Sequence, residues 1–358
     1  MESIYNFSAG PAVLPREVLL QVQEELLDYQ GSGMSVMEMS HRGVIINEIR
    51  DRAEASLRQL MNISADYEVL FLQGGATTQF AMIPMNLVRN GTADYVNTGV
   101  WSTKAMAEAN QYLTVREVAS SADQHFSYVP TVDPEQLNPE ADYLHITTNN
   151  TIHGTVFSSL PKSGEVPLVG DMSSDILSKD YPVSEFGLIY AGAQKNIGPA
   201  GLTLVIVRKD LLGPLWPGTP LMMQYAVHAK KKSMHNTPPT FAIYLAGLVF
   251  DWLLEMGGLA EMERRNREKA ALLYDFLDAS SAFRGSVRVE DRSLMNVVFR
   301  LPETAQEQRF LAESAAAGLK TLKGHRSVGG MRASLYNAMP LAGVKALISF
   351  MKEFERTL

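Results

Sequence analysis

The sequence predicts an α/β protein, with a large domain on a mostly parallel sheet flanked by helices and a smaller α+β domain after it. Three observations carry this reading. Short, nearly unbroken apolar runs recur before Gly257, segments with helical spacing separate them, and the pattern changes after Gly257-Gly258. Strands buried on both faces read as continuous apolar runs, and parallel strands need helical crossovers.

Taken in order, Ile45, Ile49, Ala53, Leu57, Leu60 and Met61 follow the spacing of one helix face. EVLFLQ at 68–73 is a strand, and a Gly-rich turn leads from it into the helix-like TQFAMIPMNLV. DYVNTGV at 94–100 reads as a strand and 103–111 as a helix. DYLHIT at 142–147, VPLVG at 166–170, GLIYAG at 187–192 and LTLVIV at 202–207 complete the strands read here. FAIYLAGLVFDWLLEM at 241–256 reads as a buried or interface helix. Beyond Gly257 come an amphipathic helix at 259–277, strand candidates at 287–289 and 295–300, a helix at 303–318, a strand at 330–336 and a closing helix at 341–354. The expected division is a large domain at 16–257 and a small one at 258–358, joined by the N-terminal segment 1–15.

Composition narrows the function. Lys+Arg 32 against Asp+Glu 39 gives a net charge of -7, which disfavours a nucleic-acid partner. The basic run Lys230-Lys231-Lys232 reads as a solvated loop. The 358 residues include no cysteine, so disulfides, thiolate metal sites and thiol nucleophiles are excluded. That fits a cytoplasmic location. The start MESIYNFSAGPAVLP does not resemble a signal peptide, and 241–256 is too short to span a bilayer and contains Asp251, so no membrane partner is expected. No metal site is expected.

Four features have chemical potential. Lys195 lies in AGAQKNIGPAG, among small residues between two apolar strands. An amine held against apolar walls loses solvation of its charged form and becomes a usable nucleophile. A surface lysine with a packed stem would look the same. Asp171 follows the apolar VPLVG, where strand ends line the crevice of α/β sheets. It also suits a helix cap, as do Ser173 and Ser174. QGGATTQF, from Gln73 to Phe80, turns from strand to helix, and the amides at such a start bind phosphate. The hydroxyls of Thr77 and Thr78 offer further donors. The turn is neither a Walker loop nor G-x-G-x-x-G. Trp101 offers a ring for stacking, or simply a core side chain. A phosphate cup, a stacking ring, an anion for a ring nitrogen and an amine for an aldehyde together describe pyridoxal 5'-phosphate.

The order of these features resembles that of the pyridoxal-phosphate enzymes of fold type I, the aspartate-aminotransferase-like fold with its seven-stranded sheet. The stretches NFSAGPAVLP, MSHRG, LQGGATTQF, ADYVNTGVWS, DMSSDILS, YAGAQKNIGPAGLT, NTPPTFAIYLAGLVFDWL and LKGHRSVGGMRASLYNAMP are similar to those of the phosphoserine aminotransferases, a class-V aminotransferase family, along essentially the whole chain. The resemblance implies transfer of an amino group from L-glutamate to 3-phosphohydroxypyruvate, giving O-phospho-L-serine and 2-oxoglutarate. Some members also act on 3-hydroxy-2-oxo-4-phosphooxybutanoate. It implies that Lys195 binds the cofactor covalently, Asp171 pairs with its ring nitrogen, Trp101 stacks on the ring and Thr151 reaches its phenolic-oxygen side. Ala76, Thr77 and Gln194 would hold the phosphate, with Asn236 and Thr237 reaching it from the second subunit of a homodimer. Arg332 would clamp the substrate α-carboxylate. His41 and Arg42, from across the dimer, would receive the distal anion with His325. Some members carry an arginine where this chain has Thr77.

Overall fold

The computed structural model describes residues 4–358. Its central sheet has seven strands in the order Tyr67–Leu72, Thr203–Arg208, Leu188–Gly192, Leu168–Asp171, Leu144–Thr147, Thr92–Asn97, Thr114–Ser120. Thr203–Arg208 runs antiparallel to both neighbours, and the remaining pairings are parallel. The buried strands are those expected from their apolar runs. Thr114–Ser120 was not legible as a strand. It closes one edge of the sheet and none of its residues is fully buried, so TVREVAS needs no apolar run.

One expected strand is shorter than read. It ends at Asn97, and the chain turns at Gly99 into the helix Val100–Ala109. Gly99 has φ +144, and a Cβ there would lie 2.5 Å from the His153 ring and 2.6 Å from the Asn150 amide. Only glycine fits that turn. Trp101 therefore sits in the first turn of a helix rather than at a strand end. Lys230 ends the helix Tyr225–Lys230, and all three lysines of the basic run are exposed.

The helix Thr240–Glu255 is largely buried. It meets Gly258–Ala279 at an 85° bend through Gly257 and Gly258, both at positive φ. We propose the domain boundary there. The later part holds a separate core of packed aromatics, among them Phe283, Phe299, Phe310 and Phe354. Its three-stranded sheet pairs Arg284–Gly285 with Asn296–Arg300 and Asn296–Arg300 with Met331–Ser334, all antiparallel. The strand expected at 287–289 is absent. Val287 is buried, but Val289 begins the 3-10 turn Val289–Asp291 and is 69% exposed, so the stretch turns away before a strand can form. Tyr5–Asn6 pairs in parallel with Leu319–Lys320, and Phe7 is buried in the later core. Residues 1–3 of the N-terminal segment lie outside the described residues. Among the described residues no single helix is long and apolar enough to cross a membrane.

Candidate active site

A cavity of about 410 Å³ opens where the parallel strands end at their carboxyl side. Thr147, Asp171 and Gly192 are the last residues of three neighbouring strands, and all three line it. A twisted parallel sheet leaves its crevice at these ends.

Lys195 lies three residues past Gly192 and projects into this cavity. Its Nζ donates a hydrogen bond of 3.0 Å to Thr151 Oγ1. Burial lowers its pKa to about 8, with nearby Asp171 opposing the shift and Arg332 adding to it. Among the described residues neither Lys195 nor Arg332 makes a salt bridge. Lys195 thus lines the cavity rather than the outer surface. Asp171 is 5% exposed, and its Oδ1 accepts the Ser173 amide at 2.9 Å. It both caps its turn and lines the cavity.

The helix Gly75–Leu87 starts at the cavity wall, with Ala76 and Thr77 facing in. Gly74 precedes it at φ +97, where a Cβ would lie 2.3 Å from Thr78 Oγ1. The Thr78 hydroxyl donates 2.8 Å back to the Gly74 carbonyl and lies outside the cavity lining, so it is not the free donor expected. Thr77 remains. Gln194 lines the cavity beside Gly10, and its carbonyl accepts the Ala12 amide at 2.9 Å. The N-terminal segment thus closes one wall.

Trp101 also lines the cavity, with Lys104 Nζ 4.9 Å from its ring centroid. Its buried indole N–H has no partner among the described residues. Arg332 enters from the strand Met331–Ser334, and its Nη1 donates 3.1 Å to the Thr151 carbonyl. His325 lines the same side and pairs through Nδ1 with Ser327 Oγ at 2.7 Å. Burial, then the neighbouring cations Arg332, Arg326 and Lys104, hold its pKa below the ordinary histidine value. This end of the cavity favours an anion.

His41, Arg42, Asn236 and Thr237 do not reach their own chain's cavity. They gather elsewhere: Thr237 Oγ1 and His41 Nδ1 lie 3.2 Å apart, and Arg42, Asn236 and Thr237 are exposed.

Sequence reasoning missed part of the wall. Ser173 Oγ accepts the Gly192 amide at 3.1 Å and ties two strand ends together. Asn149 Nδ2 donates to Ser174 Oγ at 2.8 Å and to Asn296 Oδ1 at 2.9 Å, linking the cavity floor to the later sheet. The polar run DMSSD was the available signal, but its serines were read only as caps.

The chain matches the family model described as aminotransferase class-V over residues 4–347. It belongs to the class-V aminotransferase family. A curated phosphoserine aminotransferase of Acidithiobacillus ferrooxidans is 58% identical over 99% of both chains. The solved phosphoserine aminotransferase of Bacillus circulans subsp. alkalophilus is 48% identical over 99% of both, with a TM-score of 0.96. A pyridoxal-phosphate-bound phosphoserine aminotransferase from Trichomonas vaginalis is 39% identical, with a TM-score of 0.92, over 98% of this chain and 100% of that one. The cofactor of this class-V aminotransferase is pyridoxal phosphate, and the site accommodates it. An amine of lowered pKa, a buried carboxylate, an indole wall and a helix start meet around one cavity.

Proposed function

We propose that the chain is a phosphoserine aminotransferase that moves the amino group of L-glutamate to 3-phosphohydroxypyruvate, working as a homodimer. The observation that carries the reading is that Lys195, Asp171 and Arg332 line one cavity, with the amine making no salt bridge to the carboxylate among the described residues. Asp171 would pair with the cofactor's ring nitrogen, Trp101 would stack on the ring, Thr151 would reach the phenolic oxygen, and Ala76, Thr77 and Gln194 would hold the phosphate. The bound cofactor supplies an aldehyde for the amine and a ring that accepts the electrons of the substrate's α-carbon.

The chain's own groups do the rest. Lys195 Nζ, as the free amine, would take the α-proton as a base and return it as an acid. Asp171, buried at the cavity wall, would pair with the ring nitrogen. Arg332 binds the α-carboxylate through paired N–H donors. His325, with His41 and Arg42 of the second subunit, receives the distal anion. That anion is a carboxylate on glutamate and a phosphate on the other substrate, so one cationic pocket serves both half-reactions.

A second subunit would also cover exposed apolar side chains near those residues. Met34, Met37, Val44, Leu221 and Met222 all stand at the surface of the isolated chain. Scattered apolar residues are ordinary, but several in the same few segments suit an interface.

The test is a pair of half-reactions. Glutamate should bleach the visible absorption of the purified holoenzyme, and 3-phosphohydroxypyruvate should restore it. Restoration by glyoxylate instead would reassign the substrate.

A further inference from the structure

Behind Asp171, on the face of the sheet away from solvent, stand two polar residues that the reaction above does not use. The strand register pairs Asp171 with Tyr190 on one side and Thr147 on the other, and His145 pairs with Val169. Register partners on adjacent strands point to one face, so Tyr190 stands beside Asp171 and His145 one step behind. His145 Nε2 and the Tyr190 hydroxyl are 2.9 Å apart. Both side chains are fully buried. Tyr95 stacks on the imidazole with centroids 4.8 Å apart and fixes its plane. Val169, Leu188 and Val205 pack on this face, and the other hydroxyls there are already paired: Tyr95 with Tyr143 at 2.8 Å, and Tyr225 donating to Gln79 at 2.7 Å.

We infer that His145 and Tyr190 are positioning residues for Asp171: imidazole Nε2–H donates to the Tyr190 oxygen, and the Tyr190 hydroxyl donates to the carboxylate, holding it toward the cofactor nitrogen. The direction follows from His145 Nδ1, which is buried and has no partner among the described residues. A proton on Nδ1 would be an unpaired buried N–H, which costs about 1–3 kcal/mol. The proton therefore sits on Nε2. Burial lowers the His145 pKa to about 3, so the ring is neutral and has a single N–H to give. Tyr190 must then turn its own proton elsewhere, and Asp171, its register partner on the adjacent strand, is the charged acceptor beside it. Burial first, then the Asp171 charge, push the Tyr190 ionisation well above its ordinary value, so it remains a donor. A carboxylate fixed by that hydrogen bond stays aimed at the ring nitrogen, and a nearby anion favours the protonated form of that nitrogen.

The inference rests on the proposed reaction, yet its test reads the cofactor directly. Holoenzyme is prepared with pyridoxal phosphate labelled at the ring nitrogen, and the nitrogen resonance reports protonation whether or not the enzyme turns over. Wild-type transamination tests the proposed reaction separately. In Tyr190→Phe the resonance should move toward the unprotonated value, and kcat should fall about tenfold, the worth of one hydrogen bond to a charged group, with the glutamate KM within about twofold. His145→Leu should shift both in the same direction. His145→Gln, whose amide N–H can stand in for Nε2–H, should recover most of the loss. A wild-type resonance and kcat in Tyr190→Phe overturn the inference, as does His145→Gln behaving like His145→Leu. If Tyr190→Phe does not fold, the two His145 variants decide the matter by the same readouts.

Discussion

Lys195 Nζ donates a hydrogen bond to the hydroxyl of Thr151 at 3.0 Å. The carbonyl of Thr151 in turn accepts from Arg332 at 3.1 Å. One residue in a turn thus touches both the amine assigned to the chemistry and the guanidinium assigned to the substrate carboxylate. Movement at Thr151 would alter both at once.

Lys195→Ala should lower turnover of glutamate with 3-phosphohydroxypyruvate by about a thousandfold or more, the scale of a lost acid–base group. Circular dichroism should be unchanged, because Lys195 makes no salt bridge in the described structure. Steady-state assays check the loss, and near-normal turnover would remove Lys195 from its role.

Covalent capture of pyridoxal phosphate by the apoenzyme should accelerate with pH and level off above about 8. The pKa of Lys195 is lowered to about 8, and only the neutral amine attacks an aldehyde. The neutral fraction rises as pH passes that value. Stopped-flow absorbance measures the rate, and a profile still climbing near pH 10, the ordinary lysine range, would show that burial does not act on this amine.

Arg332→Ala should reduce kcat/KM for glutamate about a hundredfold, in line with a lost charge-assisted pair. Arg332→Lys should recover only part, since an ammonium lacks the planar fork. Kinetics on both amino donors test this. Equal values for the wild type and Arg332→Ala would place the carboxylate clamp elsewhere.

If active sites are shared, mixing two inactive proteins should restore activity. Lys195→Ala lacks the amine, and Arg42→Ala lacks the distal cation given to the partner's site. A hybrid dimer pairs one site lacking both with one intact site. Recovery toward about a quarter of wild-type activity is the statistical expectation for free exchange with one intact site in half of the dimers. No recovery after verified subunit exchange would put Arg42 in its own chain's site.

Lys269 is buried on the helix Gly258–Ala279, and its Nζ donates to the carbonyls of Leu335 and Tyr336 at 2.8 Å each and of Asn337 at 3.3 Å. This segment follows the strand bearing Arg332. Lys269→Met should therefore destabilise the fold by about 2–3 kcal/mol through carbonyls left unpaired, read from urea unfolding. A variant as stable as the wild type would mean that water replaces the ammonium.

Much of the site was legible because its chemistry conflicts with its surroundings. A lysine among glycines and alanines between two apolar strands, or an aspartate ending VPLVG, departs from what packing alone would choose. His145 and Tyr190 show no such conflict. In DYLHIT and GLIYAG they pass for core residues, and only the register of their strands reveals that they meet. The edge strand Thr114–Ser120 escaped for a related reason: half exposed, it carries Arg116 and Glu117 and no apolar run. Trp101 was recognised as a wall residue but misplaced, because the positive φ of Gly99 is set by His153 and Asn150, which are remote in sequence.

The sequence by itself determined the class of the fold, the apolar strands and the residue types of the candidate site, because periodicity and misfit polarity are local properties. The tertiary structure alone decided which groups share the cavity, that Thr78 turns back on its own helix and that His145 meets Tyr190. Those outcomes depend on strand order and on contacts between distant segments, which are fixed only when the sheet is assembled.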